Sequence, residues 1–386
     1  MTKDSRILPL TRPYFDEAEI EQIRLCLASE WVTQGPMTDR FERLIAERHR
    51  AKHALACTSC TAALHLAACA LQLGPGDEVV VPAFTWVTSA HCVEYVGATP
   101  VFADIDLATF NIDPISLREA LTPRTKAVVA VHLFGLSAPM DEINAICRPR
   151  GIAIIEDAAC AIGTTYKGRP VGTIGDIGCF SFHPRKIVTT GEGGMVTTND
   201  DTFAASIKAV RNHGATGVPD PSLEPHGPWT MGKFDRLGYN LRLSDVQAAM
   251  GVAQMAKLDA LLHDRCQAAA RYDGLLAGNT QLVLPSLEHR DGHTFQSYVI
   301  RVREGGRARR NLIMSFLQQE NIQTRPGTHA VHRLGYYQAR YTIPKQKFPN
   351  AVLAEDTTIT LPIVPRMLAD DQARVATAIY RALSAC

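Results

Sequence analysis

The chain has 386 residues, enough for two domains or for one large domain with a smaller companion, and its 46% hydrophobic content supplies a sizeable buried core. Its 40 basic side chains are balanced by 39 acidic ones, so no net field recruits nucleic acid or an anionic membrane, and a small-molecule partner is expected instead. Residues 1–6 lack the apolar core of a signal peptide and no run of about 18 apolar residues occurs, so the expected location is cytoplasmic. Ten cysteines, several in apolar helical stretches such as Cys69 and Cys92, predict reduced core thiols rather than a disulfide framework.

Asp16 followed by Glu19 is a capping-box pattern, after which Ile20, Ile23 and Leu27 share one helical face. The stretch 31–36 breaks that helix. Thr38 is placed to cap a second helix, with Phe41, Leu44 and Ile45 as its apolar stripe and Arg50 near its end. From His53 the chain alternates. The apolar runs 55–57, 78–81, 100–102, 127–131 and 152–155 read as strands buried on both faces of a parallel sheet. Between them, Asp113-Pro114 opens a helix and Gly97 closes one. The alternation predicts a doubly wound α/β fold, in which ligands collect beyond the carboxyl ends of the strands. Beyond Ser244, the spacing of Val246, Ala249, Ala253, Leu258, Leu261 and Leu262 predicts one long helix running toward Tyr272 and linking two domains. The rest offers a strand at 298–302, a helix around 312–317 and a final helix after Asp370 and Asp371.

Residues at the strand ends carry the chemistry. Thr58-Ser59-Cys60-Thr61 leads from a strand into a helix, where unsatisfied amides and the helix dipole favour an anion such as phosphate. Two other readings stand beside this one: small residues merely turning the chain, and a Cys-x-x-Cys thiol pair at a helix start, formed by Cys57 and Cys60. Trp86 follows another strand and can stack on a flat ring, while Asp157 follows a third and can pair with a ring nitrogen that must stay protonated. Lys186 sits on the turn between Phe180-Ser181-Phe182-His183 and the glycine-rich return 189–195, a place where burial frees an amine for Schiff-base chemistry. Phosphate cradle, ring stack, pyridinium partner and amine are together the requirements of pyridoxal phosphate. His329 and His332 lack a nearby third ligand, so no metal site is expected.

The segments 82–86, 97–102, 156–159, 181–186, 189–195 and Gly238-Tyr239-Asn240-Leu241-Arg242, in this order, resemble the DegT/DnrJ/EryC1/StrS family of sugar-nucleotide aminotransferases. The resemblance runs from Trp31 to Pro362. It implies a fold-type I pyridoxal phosphate enzyme, with a large domain built on a mostly parallel seven-stranded sheet between helices (1–255) and a smaller C-terminal α/β domain (256–386). It also implies a homodimer with its sites at the interface, using L-glutamate as amino donor and a nucleotide-linked 4-keto-6-deoxyhexose as acceptor. Lys186 is then the Schiff-base lysine and proton shuttle, and Asp157 the partner of the pyridine nitrogen. Trp86 stacks on the ring, while Cys60, Thr61 and Ser181 hold the phosphate together with Asn240 of the neighbouring subunit. His183, Arg325 and His332 fall near the sugar nucleotide. Cys60 stands where such enzymes commonly have glycine. Cys160 stands where they place histidine or glutamine against the cofactor's phenolic oxygen, and a thiol is a weaker donor there. Within this fold the alternatives are amination at C3, a pyridoxamine phosphate-dependent sugar dehydratase, which carries histidine in place of the lysine, and a non-catalytic regulator.

Overall fold

The computed structural model describes residues 6–217, 229–286, 288 and 290–385; the first five residues of the opening stretch lie outside them. Seven strands form the central sheet: β1 (His53–Cys57), β2 (Glu78–Pro82), β3 (Thr99–Ala103), β4 (Thr125–Val131), β5 (Ala153–Asp157), β6 (Ile177–Ser181) and β7 (Gly194–Thr198). Their spatial order is β1-β7-β6-β5-β4-β2-β3. All run parallel except β7, which is antiparallel to both of its neighbours. Successive side chains of a strand face opposite ways, and the cores divide accordingly. Val79, Val81, Val129 and Val131 pack into one layer, while Val80, Val128, Ala130 and Ile154 pack into the layer behind the sheet. The run at β2 is uninterrupted valine because neither face meets water.

The first helix, Glu17–Ala28, begins with the expected Asp16/Glu19 capping box. Its apolar residues do not turn inward, however: Ile20 is 60% exposed and Leu27 55%, with Trp31 and Val32 exposed just beyond. The second helix, Pro36–His49, starts two residues before the expected Thr38 cap, with proline in its first turn. The reason is a carboxylate from far along the chain. Asp245 accepts from the amides of Gly35 (2.8 Å), Met37 (3.0 Å) and Thr38 (2.9 Å), so the orphan donors are satisfied without a local cap.

The long helix expected after Ser244 is two, Asp245–Ala256 and Leu258–Leu276, parted at Lys257. The Lys257 ammonium bonds Asp16 (2.8 Å) and Glu19 (2.7 Å), which ties the break to the first helix. A second, antiparallel sheet follows, β8 (Leu282–Val283), β9 (Tyr298–Val302) and β10 (Thr358–Leu361), in that spatial order. Helices Leu258–Leu276, Gly306–Gln319 and Ala369–Ala385 cover it in a core that Leu8 also joins. Between β9 and β10 the chain returns to the large core: His329–Ala330 pairs with Phe84–Thr85 in a separate two-stranded ladder, and Val331, Tyr337 and Ala351 enter that core. Among the described residues no helix is long and apolar enough to cross a membrane.

Candidate active site

Beyond the carboxyl ends of β4, β5 and β6 lies a cavity of ≈ 460 Å³. The dipeptide Glu156-Asp157 at the end of β5 divides its labour by strand alternation. Glu156 points behind the sheet and is fully buried. It accepts from His132 Nε2 (2.8 Å) and from the amides of Gly172 (2.7 Å), Ile174 (2.7 Å) and Gly175 (2.6 Å). Burial alone would raise its pKa, but these donors outweigh burial and hold the carboxyl below its ordinary range. His132 Nδ1 accepts from the Ala138 amide at 3.0 Å, so the ring is neutral and carries its proton on Nε2. Glu156 therefore locks the strand end from which Asp157 turns into the cavity.

Asp157 is 4% exposed, and its Oδ2 accepts from Ser89 Oγ at 2.6 Å while Oδ1 accepts weakly from the Ala159 amide at 3.2 Å. The Ser89 hydroxyl has one proton, and the carboxylate takes it. Thr85 Oγ1, 2.9 Å from Ser89 Oγ, must then donate to Ser89, which fixes the direction of a buried relay from Thr85 through Ser89 to Asp157. Sequence reading missed Ser89. It lies in the first turn of helix Thr88–Glu94, four residues past Thr85, and a serine in an apolar turn that follows a strand end was the available signal.

Lys186 is presented by a tight connection between β6 and β7. Its amide donates to His183 O (2.8 Å), Phe182 N donates to Gly193 O (2.9 Å), and Gly191 takes φ +79° at the tip, where a Cβ would be strained. The Lys186 amine donates to Cys160 Sγ at 3.0 Å. Ser181, the last residue of β6, pairs across the ladder with Gly194 of β7. A Cβ at Gly194 would overlap the Ser59 carbonyl, so only glycine lets β7 pass against the turn that starts helix Cys60–Ala70. Ser59 caps that helix through the Ala62 amide (3.1 Å). The amides of Cys60 and Thr61 precede Ala63, the first amide to donate within the helix, and both residues line the cavity wall with Ser181.

Trp86, His183 and Arg325 also line the cavity. Trp86 is half exposed, with its ring centroid 5.6 Å from that of His329. Arg325 donates to the carbonyls of Pro326 (3.3 Å) and Gly327 (3.1 Å), and burial followed by the charge of Arg185 depresses its pKa. Two expected residues lie elsewhere. Asn240 is exposed and bridges Asn212, outside the cavity wall of its own chain. His332, expected at the sugar nucleotide, is fully buried between Phe102 and Phe348, and its Nε2 is engaged by Lys345 O at 3.0 Å. Its place in the large core removes it from the substrate set.

The thiol-pair reading of Cys57 and Cys60 also fails on geometry and charge. All nine described cysteines are free. Burial pushes the Cys57 thiol up to about 12 and the Cys60 thiol well above its ordinary value, the reverse of an activated thiolate. What the cavity does hold is the donor set pyridoxal phosphate requires: helix-end amides and a hydroxyl, an indole, a fixed carboxylate and an amine.

A seven-stranded sheet of this order with these groups at its carboxyl edge defines a pyridoxal phosphate-dependent transferase of fold type I. The chain belongs to the DegT/DnrJ/EryC1/StrS aminotransferase family, whose pattern matches residues 13–380. It is 40% identical over 372 residues to the spore coat polysaccharide biosynthesis protein SpsC of Bacillus subtilis, covering 96% of this chain and 95% of that one. It is 38% identical over 333 residues to the GDP-perosamine synthase of Caulobacter vibrioides, covering 86% of each. The structure superimposes on Spr1654 of Streptococcus pneumoniae in its pyridoxamine phosphate form with a TM-score of 0.92 at 28% identity, over 98% of this chain and 99% of that one. The pyridoxal phosphate form of the same protein gives 0.91. Pyridoxal phosphate is the cofactor of this enzyme.

Proposed function

We propose that this aminotransferase moves an amino group from L-glutamate to C4 of a nucleotide-linked 4-keto-6-deoxyhexose, in amino-sugar, polysaccharide or antibiotic-sugar biosynthesis. The similarity to a polysaccharide biosynthesis protein and to a GDP-perosamine synthase supports a sugar acceptor. The observation that carries the reading is the shape of the site. The cavity holding Lys186 and Asp157 meets a second one of ≈ 850 Å³ at Arg185 and Arg325, and the second is walled by Asn311, Ser315, Gln318 and Gln323. A keto sugar fits the first space, two guanidiniums at the junction suit a diphosphate, and the amide-rich second space suits a nucleoside.

Bound pyridoxal phosphate supplies an electron sink for the carbanion left by proton removal. In this proposal Lys186 Nζ would hold the cofactor and would accept and return the proton that the transfer moves. Asp157, oriented by Ser89, keeps the pyridine nitrogen protonated. Trp86 covers the ring, Cys60, Thr61 and Ser181 hold the phosphate, Cys160 faces the phenolic oxygen, and His183 with Arg325 meets the sugar nucleotide. Asn240 serves the site of a second copy, which makes the working unit a homodimer; its exposure, together with that of Ile20, Leu27, Trp31 and Val32, supports this. The division into a large domain, 1–255, and a small one, 256–386, and a cytoplasmic location belong to the same reading. A sugar dehydratase with histidine in place of the lysine is disfavoured by Lys186, and a non-catalytic regulator by the intact Lys186, Asp157 and Ser181.

The test is incubation of the purified enzyme and glutamate with UDP-, dTDP- and GDP-linked 4-keto and 3-keto sugars, followed by identification of the product. Amination of a 4-keto sugar at C4 is expected. Turnover confined to 3-keto sugars would move the assignment to C3, and dehydration without amination would overturn it.

A further inference from the structure

The one side-chain hydrogen bond that the Lys186 amine makes among the described residues is to sulfur, Cys160 Sγ at 3.0 Å. Cys160 is half-buried and lines the cavity, which joins the second, polar cavity at Leu10, Thr11, Arg185 and Arg325, so a small polar reagent can reach it. Cys60 lines the same cavity but is 8% exposed, and burial keeps its thiol protonated. No other described lysine amine is hydrogen-bonded to a thiol. A nucleophilic sulfur and an amine in contact at an accessible wall form a pair with its own chemistry.

We propose that Cys160 and Lys186 are a hydroperoxide-sensitive modification site, in which oxidation of the thiol is followed by a covalent sulfur–nitrogen bond that consumes the amine. In the first step the Cys160 sulfur attacks the peroxide. An S–O bond forms and the O–O bond breaks, sulfur is oxidised by two electrons to the sulfenic acid, and the leaving hydroxide takes the thiol proton as water. In the second step the uncharged Lys186 amine attacks that sulfur. The S–N bond forms, the S–O bond breaks, and the hydroxyl leaves as a second water with a proton from Nζ. One thiol, one amine and one hydrogen peroxide thus give one sulfenamide and two waters. Two equivalents of an external thiol reverse it, restoring thiol and amine and leaving a disulfide.

The consequence rests on the reading of Lys186 as the amine that attaches the cofactor: a linked Lys186 cannot take up pyridoxal phosphate. Enzyme whose amine is already engaged by pyridoxal phosphate is protected, whereas the cofactor-free and pyridoxamine forms are exposed. A histidine or glutamine at position 160 has no such reaction.

The full-length protein carrying Cys266→Ser, which removes an exposed thiol remote from the cavity, is stripped of cofactor, treated with hydrogen peroxide and digested without reductant. Mass spectrometry is expected to find a peptide pair joined through Cys160 and Lys186, two hydrogens lighter than its parts, which dithiothreitol abolishes. In protein preloaded at about a hundredfold the cofactor Kd, roughly one site in a hundred has a free amine at any moment, so the initial rate of linkage should fall about a hundredfold. Cys160→Ser should give no linked pair, and peroxide should no longer block its cofactor uptake, read by absorbance. Cys160 recovered as sulfinic acid or free thiol with Lys186 unlinked overturns the proposal, as does an equal initial rate of linkage with and without cofactor. A separate control reduces the untreated, reconstituted protein with borohydride. Absence of a cofactor adduct on Lys186 there would sink the reading of Lys186 itself, and the linked pair is scored independently of it.

Discussion

Replacing Ser89 by alanine tests the site at the residue no sequence pattern pointed to. The substitution removes a 2.6 Å hydrogen bond to a carboxylate that is 4% exposed, leaving Asp157 with only the 3.2 Å Ala159 amide. A hydrogen bond to a charged group contributes about 1.5–3 kcal/mol. If that fixes the carboxylate against the ring nitrogen during proton transfer, its loss appears in the barrier, and at 1.36 kcal/mol per decade kcat/KM falls about ten- to a hundredfold. Thr85→Val should cost less, because Ser89 keeps its proton donation to Asp157 and loses only the hydrogen bond it accepts. Ser89→Thr retains the hydroxyl and should restore most of the activity. Steady-state transamination is to be measured for all three variants, with the visible spectrum of the bound cofactor as a readout that loosened packing alone would leave in place. Unchanged kcat/KM and spectrum in Ser89→Ala, or equal damage from Thr85→Val, would refute the relay.

Asp157→Asn should still bind cofactor yet nearly stop turnover, since an amide contacts the ring nitrogen without stabilising its charge; wild-type turnover would remove Asp157 from the mechanism. Lys186→Ala and Asn240→Ala, refolded together, should recover activity that neither shows alone at limiting cofactor, because a mixed dimer concentrates both lesions in one site and leaves the other whole. No gain on mixing, with subunit exchange confirmed by tags, would place Asn240 outside the partner's site. His49 is fully buried and burial lowers its pKa from 6.5 to about 4, so the unfolded chain binds the extra proton between those values. Its contribution is complete above pH 6.5 and is lost as pH falls toward 4, about 3 kcal/mol in all. His49→Asn keeps a donor for Val171 O and does not titrate, so its denaturant midpoint should depend less steeply on pH in that window.

Strands and strand-end residues were legible because both follow from local rules. A buried parallel strand is continuously apolar and ligands collect beyond its carboxyl end, so Trp86 and Asp157 came with the strands, whereas β6 and β7 were not among the expected apolar runs and Ser181 was assigned only by the family resemblance. Lys186 came with the turn its glycines demanded. What failed was long-range. Asp245 caps a helix more than 200 residues upstream of it, and a cap search confined to neighbouring positions settles on Thr38 instead. The break at Lys257 leaves helical spacing intact on both sides, so periodicity reads straight across it. His332 carries no local mark separating a core histidine from a substrate histidine; only the return of its segment to the large core, against Phe102 and Phe348, decides. Ser89 was invisible because its meaning depends on a carboxylate 68 residues away.

The first helix shows a different limit. Ile20, Ile23 and Leu27 do fall on one face, and the helix forms where its capping box begins it, yet that face is turned to solvent. Periodicity reports that a face is kept apolar; it does not say whose surface covers it. Its own chain buries the adjoining side instead, where Glu19 bonds Lys257 and the Gln254 amide, and Cys26 meets the Trp31 carbonyl. In the proposed homodimer a second copy would cover this stripe, together with the exposed Asn240 and the half-exposed Trp86 at the mouth of the cavity. On that proposal the apolar pattern at the N-terminus and the exposure of Asn240 share one cause, a partner surface that would cover the helix of one subunit while Asn240 reaches the cavity of the other.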